Sequence, residues 1–269
     1  MDDIGFFREL LARAGDIALE YFLRVSASHK EDRTLITEAD LAVQSFLIEA
    51  MEQRFPNDGL VAEEEEFRRA PRCGNRTWTI DPIDGTASFV AGLVDWSISI
   101  GLVEGGHPAA GYIWMPPSRD FFHTTPDGGV CRNGRRARLK LPVAPTRDSI
   151  LFTHMQPHRR YTLAPEYPGR IYCLGSASVH LSMVATGGGD AVLIGHDKVW
   201  DLAPGLAMLA NNGGVLRYLR GEGPVDLERL MPGQSAPHPM IGGHPVVLDH
   251  IEAWLDYHSP GFPWTNRYG

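Results

Sequence analysis

Apolar residues recur every three or four positions at the start of the chain and every second position in its middle. Ile4, Phe7, Leu11, Ala14, Ile17, Ala18 and Tyr21 share one helical face, so a first helix is predicted over about the first 24 residues. The stretch ITEADLAVQSFLIEAMEQRF predicts a second helix, with Leu41, Phe46, Leu47, Ala50 and Met51 as its apolar stripe. Thr37 serves as its N-cap, with Asp40 three residues on. PNDG then breaks the helix, and a short strand, LVA, runs into four glutamates.

Between Thr77 and Thr125 the pattern becomes that of strands: RTWTID, WSISIGLVE, AAGYIWM and FFHTT, separated by the turn sequences EGGH, PPSRD and PDGG. Helical spacing returns in SASVHLSMVATGG and in DLAPGLAMLANNGG, the latter stopped by Gly213 and Gly214. DAVLIG and GGVLRYL read as strands beside it. Two helices, a strand-rich middle, then alternating strand and helix predict a mixed α+β and α/β layered fold. A loose division is expected at LPVAPTRD, giving an N-terminal half, 1–146, and a C-terminal half, 147–269, packed as one globular unit. No internal repeat is visible, and the Pro/Gly-rich SPGFPWTNRYG is expected to be irregular.

With 269 residues, 43% of them hydrophobic, the chain can bury a substantial core. Its 25 basic and 33 acidic residues give a net charge of -8 and leave no long basic run. That argues against nucleic-acid or membrane-surface binding, and means that an anionic ligand would need a cation or a positive dipole to hold it. Cys73, Cys131 and Cys173 are widely spaced and odd in number, which fits neither a zinc site nor a disulfide framework. The acidic, amphipathic start lacks signal-peptide order, and no apolar run approaches the ~20 residues of a membrane span. The expected location is the cytoplasm.

Four features call for chemistry. First, TWTIDPIDGTASF reads as a strand leaving a core through Asp81-Pro82-Ile83-Asp84, which would project two carboxylates from a tight turn at a sheet edge. Two close carboxylates repel, and a divalent cation removes the conflict. Mg²⁺, with hard oxygen ligands at about 2.1 Å, suits two carboxylates and the Ile83 carbonyl. Second, Gly85 and Thr86 would open a helix whose amides can seat a phosphate, and Thr86 could hold a water. Third, the glutamates after LVA can reach the same ions. Fourth, in KVWDLAPG, Asp201 opens a helix behind Trp200. The plainer readings are a simple turn for Asp81 and Asp84, N-caps for Asp40 or Asp201, and a solvated surface for Glu65 and Glu66. An aspartyl-phosphate transferase would space its acids by two rather than three.

Taken together, these stretches resemble the inositol monophosphatase family of magnesium-dependent, lithium-sensitive phosphatases. DPIDGTASF is similar to its first signature and WDLAPGLAMLANNGG to its second. LITEAD, AEEEE and VATGGGDA fit further elements in the same order, from about Lys30 to Gly214. The resemblance implies a layered αβαβα sandwich of the inositol monophosphatase and fructose-1,6-bisphosphatase type. It implies two or three Mg²⁺ ions held by Glu63, Asp81, the Ile83 carbonyl, Asp84 and Asp201. Asp40 and Thr86 would orient and activate a water, assisted by Glu64, which is also the alternative ligand if the glutamate register shifts. Gly85 and Thr86 would bind the phosphate, and Lys30 falls where the family often has a lysine. A small phosphorylated metabolite as substrate and a homodimer are implied as well.

The substrate side departs from the family's pattern. Seven residues before Asp201, where a glutamate commonly grips sugar hydroxyls, stands Ile194. His196, Asp197 or Lys198 could take over, although GHDK reads more simply as a surface turn. Ala87 and Ser88 match neither the nucleotidase nor the histidinol-phosphatase form of the first signature. Gly175, Ser176 and Ala177, within GSAS, fit the small residues of a substrate pocket, with Ile194 beside them. Pro204 replaces a usual Ala or Gly, and the helix is expected to survive it at an early turn. The leading expectation is a phosphomonoesterase for a small polyol or sugar phosphate. Histidinol phosphate or 3'-phosphoadenosine-5'-phosphate comes next, and from another class a metal-binding regulatory protein without significant turnover.

Overall fold

Both amphipathic patterns at the N-terminus become helices in the computed structural model, which describes residues 3–24, 28–29, 35–63, 68–140, 143–153, 161–219 and 223–257. The first is α1 (Asp3–Tyr21). A small antiparallel pair, β1 (Ser28–His29) with β2 (Leu35–Ile36), leads to α2 (Glu38–Arg54). There Thr37 accepts from the amides of Ala39 and Asp40, while the Asp40 carboxylate accepts from the Thr37 amide, closing a capping box.

Seven strands then form one sheet in chain order: β3 (Gly59–Ala62), β4 (Arg76–Asp84), β5 (Ser97–Glu104), β6 (His107–Met115), β7 (Asp120–Thr124), β8 (Val130–Arg132) and β9 (Arg135–Ala137). Only β3 and β4 run parallel; the rest is an antiparallel meander, with α3 (Thr86–Val90) between β4 and β5. Strand alternation sorts the side chains to two faces. Trp78, Ile80, Ile98, Ile100, Leu102 and Tyr112 pack under α1 and α2. Val103, Ile113, Met115 and Phe122 face the opposite way.

The second half builds β10 (Ile150–Thr153), β11 (Tyr161–Leu163), β12 (Arg170–Cys173), α4 (Ala177–Ala185), β13 (Ala191–Ile194), α5 (Val199–Asn211), β14 (Val215–Tyr218), α6 (Leu227–Leu230), β15 (Met240–Gly243), α7 (Pro245–Glu252) and β16 (Leu255–Tyr257). Its main sheet has the order β12-β10-β13-β15-β14, parallel as far as β13 and antiparallel across β15, while β11 pairs with β16. Phe152, Val192, Ile194, Leu216 and Met240 meet α4 and α5 in one cluster with the first sheet. Leu151, Leu193 and Ile241 point to the far side, where Val247, Leu248 and Ile251 of α7 cover them. The layers therefore run helix pair, sheet, helix pair, sheet, helix: the expected αβαβα arrangement. The 146/147 division falls in the connection between β9 and β10.

Helix α5 sits against the first sheet because two glycines make room for it. Gly101 and Gly111 pair across β5 and β6. A Cβ on Gly111 would lie 2.1 Å from the Pro204 carbonyl oxygen, and one on Gly101 would lie 2.9 Å from the Pro204 nitrogen. The helix runs through Pro204 as expected. However, Pro204 is the sixth helical residue, past the first turn where proline is tolerated for want of a donor.

Candidate metal centre

Asp81 and Asp84 do not project from a turn at a sheet edge, as their sequence suggested. They lie within β4, whose neighbours are β3 and β5. Residues three apart on a regular strand point to opposite faces. Here Asp81 pairs with Ser99 but Asp84 with Ser97, so β4 carries one extra residue opposite β5. That bulge at Pro82–Ile83 brings both carboxylates to one face. Pro82 is harmless there, since β3 pairs with β4 only as far as Ile80.

Carboxylate oxygens of Asp81, Asp84 and Asp201 all lie within 4.8 Å of one another. Asp201 arrives from the first turn of α5, where its Oδ2 accepts from the Lys198 amide at 2.7 Å. Asp84 is held by the first turn of α4: Oδ2 accepts from Ser176 Oγ at 2.6 Å and from the Ser178 amide at 2.7 Å, and Oδ1 from the Ala177 amide at 3.3 Å. Asp81 accepts from the Ile83 amide at 3.1 Å.

Burial first, then the charges of Asp84, Glu63 and Asp201, push the Asp81 carboxyl well above the usual range. Burial, then Asp197 and Asp84, raise Asp201 in the same way. Asp84 also rises through burial, although its hydrogen bonds from α4 pull the other way. The cluster thus carries more negative charge than the chain neutralises, on hard oxygen ligands. That donor set fits a divalent cation of the Mg²⁺ kind. Glu63, half-buried just after β3, adds its charge to the same centre. The Ile83 carbonyl accepts the Thr86 hydroxyl at 3.1 Å and keeps a second lone pair.

Gly85 caps α3 at a φ of 96°, a conformation that glycine adopts without strain. Thr86 is the first residue of α3, which packs against β2, the strand leading into Asp40. Asp40 is buried, with Oδ2 accepting from both the amide and the hydroxyl of Thr37 at 2.7 Å. Glu64, Glu65, Glu66 and Lys30 lie outside the described residues.

The expected substrate pocket is only partly assembled. Gly175 and Ala177 are partly exposed beside Asp84, and the Gly175 amide donates to Asp95 Oδ2 at 2.6 Å. Ser176 is fully buried, with its hydroxyl committed to Asp84. Ile194 does not line a pocket: it is 1% exposed, ends β13 and belongs to the apolar layer under α4 and α5.

Sequence reasoning undervalued two residues. Asp197 does not sit in a free surface turn. It is half-buried, and burial followed by the charge of Asp84 raises it to about 6. The signal available was an acid four residues before Asp201, at the mouth of the same helix. Arg68 binds the carbonyls of Ala62 and Glu63 at 3.1 Å, reaches Pro232 O at 3.2 Å and lies 5.0 Å from the Trp200 ring centroid. It ties the Glu63 loop to α5, and no sequence motif announces it.

A sequence profile described as the inositol monophosphatase family matches residues 3–241. The chain belongs to the inositol monophosphatase family. It is 30% identical over 230 residues to the fructose-1,6-bisphosphatase/inositol-1-monophosphatase of Thermotoga maritima, covering 82% of this chain and 87% of the relative. To the histidinol-phosphatase of Chlorobaculum parvum it is 29% identical over 250 residues, covering 87% and 93%. The solved IMPase of Thermotoga maritima superimposes with a TM-score of 0.79 at 25% identity, covering 94% of this chain and 96% of the other. The protein is accordingly a phosphatase of this family, acting on phosphate monoesters, with an acidic cluster that could hold metal. Among the described residues no helix is long and apolar enough to cross a membrane.

Proposed function

We propose that this phosphatase depends on Mg²⁺ and hydrolyses a small polyol or sugar phosphate of the inositol 1-phosphate type. The observation that carries the reading is the Asp81–Asp84–Asp201 cluster, two of its acids buried and Asp201 half-buried, whose charge the protein leaves unbalanced. Glu63, Asp81, the Ile83 carbonyl, Asp84 and Asp201 would hold two or three ions, with Glu64 as the other candidate in the glutamate run. Held there, such ions would supply the acidity to ionise a water and the positive charge to offset that on the departing alcohol.

The chain's own contribution is orientation. Thr86 spends its proton on Ile83 O, which leaves its oxygen to accept from a water. Asp40 is the acid that would act with it, from a carboxylate fixed by Thr37. The amides of Gly85 and Thr86 would seat the phosphate. In-line attack needs positioning and charge stabilisation, and no covalent enzyme intermediate.

A second reading, an amino-alcohol phosphate such as histidinol phosphate, is favoured by Asp197. With Ile194 in the core, the half-buried Asp197 carboxylate, close enough to Asp84 to feel its charge, would be the acid offered to a hydroxyl or an ammonium group.

The test is Mg²⁺-dependent phosphate release from inositol 1-phosphate, histidinol phosphate, fructose 1,6-bisphosphate and 3'-phosphoadenosine 5'-phosphate, with calorimetric Mg²⁺ titration in parallel. Inositol 1-phosphate well above the others supports the first reading, and histidinol phosphate leading supports the second. Intact Mg²⁺ binding without release from any of them would favour a regulatory protein. The same proposal includes Li⁺ inhibition, a homodimer and a cytoplasmic location; light scattering at a monomer mass would remove the dimer from it.

A further inference from the structure

Beneath the acidic cluster lies a set of buried hydroxyls that the proposed reaction does not use. Along β5, Ile98, Ile100 and Leu102 pack toward α1 and α2, which leaves Ser97, Ser99 and Gly101 facing α4 and α5. Ser97, Ser99, Ser176 and Ser178 are each 0% exposed. A buried hydroxyl needs a partner, and each of these has one. Ser97 and Ser176 are 3.1 Å apart, and Ser176 in turn donates to Asp84. Ser178 Oγ lies 2.9 Å from the Asp201 carbonyl oxygen, and Ser99 Oγ lies 3.4 Å from that of Trp200. Ser99 and Ser178 are themselves 3.4 Å apart. Each hydroxyl has one proton: that of Ser178 serves Asp201 O, with the Asp84 carboxylate as its other acceptor, and that of Ser99 goes to Trp200 O.

The demand at Trp200 O comes from Pro204. In an α-helix the carbonyl of residue 200 accepts from the amide of residue 204, and proline has no amide hydrogen. Trp200 is 2% exposed, so water is a poor substitute. The two acceptors also flank one residue. The Trp200 carbonyl belongs to the peptide plane before the Asp201 Cα, and the Asp201 carbonyl to the plane after it. Holding both planes sets φ and ψ at Asp201, and therefore the direction in which its side chain leaves the helix.

We propose that Ser99 and Ser178 are positioning residues that hold the first turn of α5 around Pro204 and so present Asp201 to the acidic cluster. This rests on the reading of Asp201 as a cation ligand. The experiment is Mg²⁺ titration by calorimetry on the full chain, with thermal unfolding in metal-free buffer, for Ser99→Ala, Ser178→Ala and Pro204→Ala, and for Ser99→Ala combined with Pro204→Ala. Both single serine variants should weaken Mg²⁺ binding about threefold to tenfold, as loss of a buried hydrogen bond to a carbonyl would. Pro204→Ala restores an amide to the helix, so in that background Ser99→Ala should weaken binding less than about twofold. The unfolding midpoints should show the same coupling. An equal Ser99→Ala effect in both backgrounds, or unchanged Mg²⁺ affinity in both serine variants, overturns the proposal while leaving the metal reading intact. A wild-type protein with no saturable Mg²⁺ binding overturns both.

Discussion

Asp81 and Asp84 share one strand and one face, yet the protein treats them differently. Asp84 is met by the start of α4, from the Ser178 amide and the Ser176 hydroxyl on one oxygen and the Ala177 amide on the other, with the Ser178 hydroxyl adding to them. Its charge is partly answered within the chain, although burial still outweighs those bonds, and in being answered it joins the first sheet to the second half. Asp81 receives one amide and faces Asp84, Glu63 and Asp201. Its charge is left for something the chain does not supply. Proximity in a cluster therefore does not make two acids equivalent: Asp84 is also a tie between halves, whereas Asp81 has no such tie and is the acid a bound cation would answer.

Exchanging each acid for its amide should separate the two roles. Asp81→Asn removes a buried, poorly answered charge, so the metal-free protein should unfold at the same temperature or higher. Under the proposed function Mg²⁺ binding and phosphate release should fall by about a thousandfold or more, since the group would take part in ion binding and in charge stabilisation. Asp84→Asn should lose activity too, but it should also cost about 2–4 kcal/mol without metal, because a side-chain NH₂ would face donors in place of an acceptor. Thermal unfolding with and without Mg²⁺, beside phosphate-release rates, checks both. If the two variants shift the metal-free midpoint alike, the distinction fails.

The next effect tests whether α5 needs its seat. Gly111→Ala would drive a methyl into the Pro204 carbonyl at 2.1 Å, and β6 cannot yield without disturbing its pairing with β5 and β7. The expected cost is about 2–3 kcal/mol with weakened Mg²⁺ binding, because Asp201 rides on the displaced helix. Urea unfolding and metal titration of the same sample would reveal it. Loss of stability at unchanged Mg²⁺ affinity would show that Asp201 is placed independently of this contact.

The sequence revealed the elements that carry strong periodicity and obscured those set by register. The stripe of α1, the capping box at Thr37, and strands β3 to β7 follow from local pattern. The stripe of α2 does so only in part: Leu41 is exposed, and the buried face is formed by Ala39, Val43, Leu47, Ile48 and Met51. β12 does not, because all four of its residues are exposed at a sheet edge and no alternation marks it. Nor does β15, Met-Ile-Gly-Gly, where two glycines hide a fully buried strand. At the site, Asp81, Asp84 and Asp201 were visible as acids beside turn and helix signals. The bulge that makes a spacing of three productive was not, since it appears only once β4 is aligned with Ser97 and Ser99 of β5. Ile194 was legible as an apolar replacement, but its burial in the core depends on α4 and α5 closing over β13. Asp197 looked like part of a surface turn because GHDK contains only small and polar residues, and its burial comes from segments far away in sequence. Ala236, for example, donates its amide to the Asp197 carbonyl at 2.9 Å.

Asp197 also offers the mildest test of the contrast between answered and unanswered acids. Two amides, of Gly195 and of Asp197 itself, favour its charged form, but burial and the Asp84 charge outweigh them and raise it to about 6. A carboxyl that titrates higher in the folded than in the unfolded protein binds its proton more tightly when folded. Its contribution is therefore present below about pH 4, the ordinary carboxylate value, and is lost as pH rises through about 6. In metal-free buffer, Asp197→Asn should leave stability near pH 4 almost unchanged and gain about 1–2 kcal/mol at pH 7.5, a figure discounted for the part of the group that water still reaches. Saturating Mg²⁺ should shrink that gain, because cations at the cluster offset the Asp84 charge that disfavours the Asp197 carboxylate. Unfolding midpoints of both proteins from pH 4 to pH 8, with and without Mg²⁺, give the comparison. A gain that is the same at every pH would mean that Asp197 is already answered in the folded protein, more fully than Asp84 is, and that it is not an acid held in reserve for substrate.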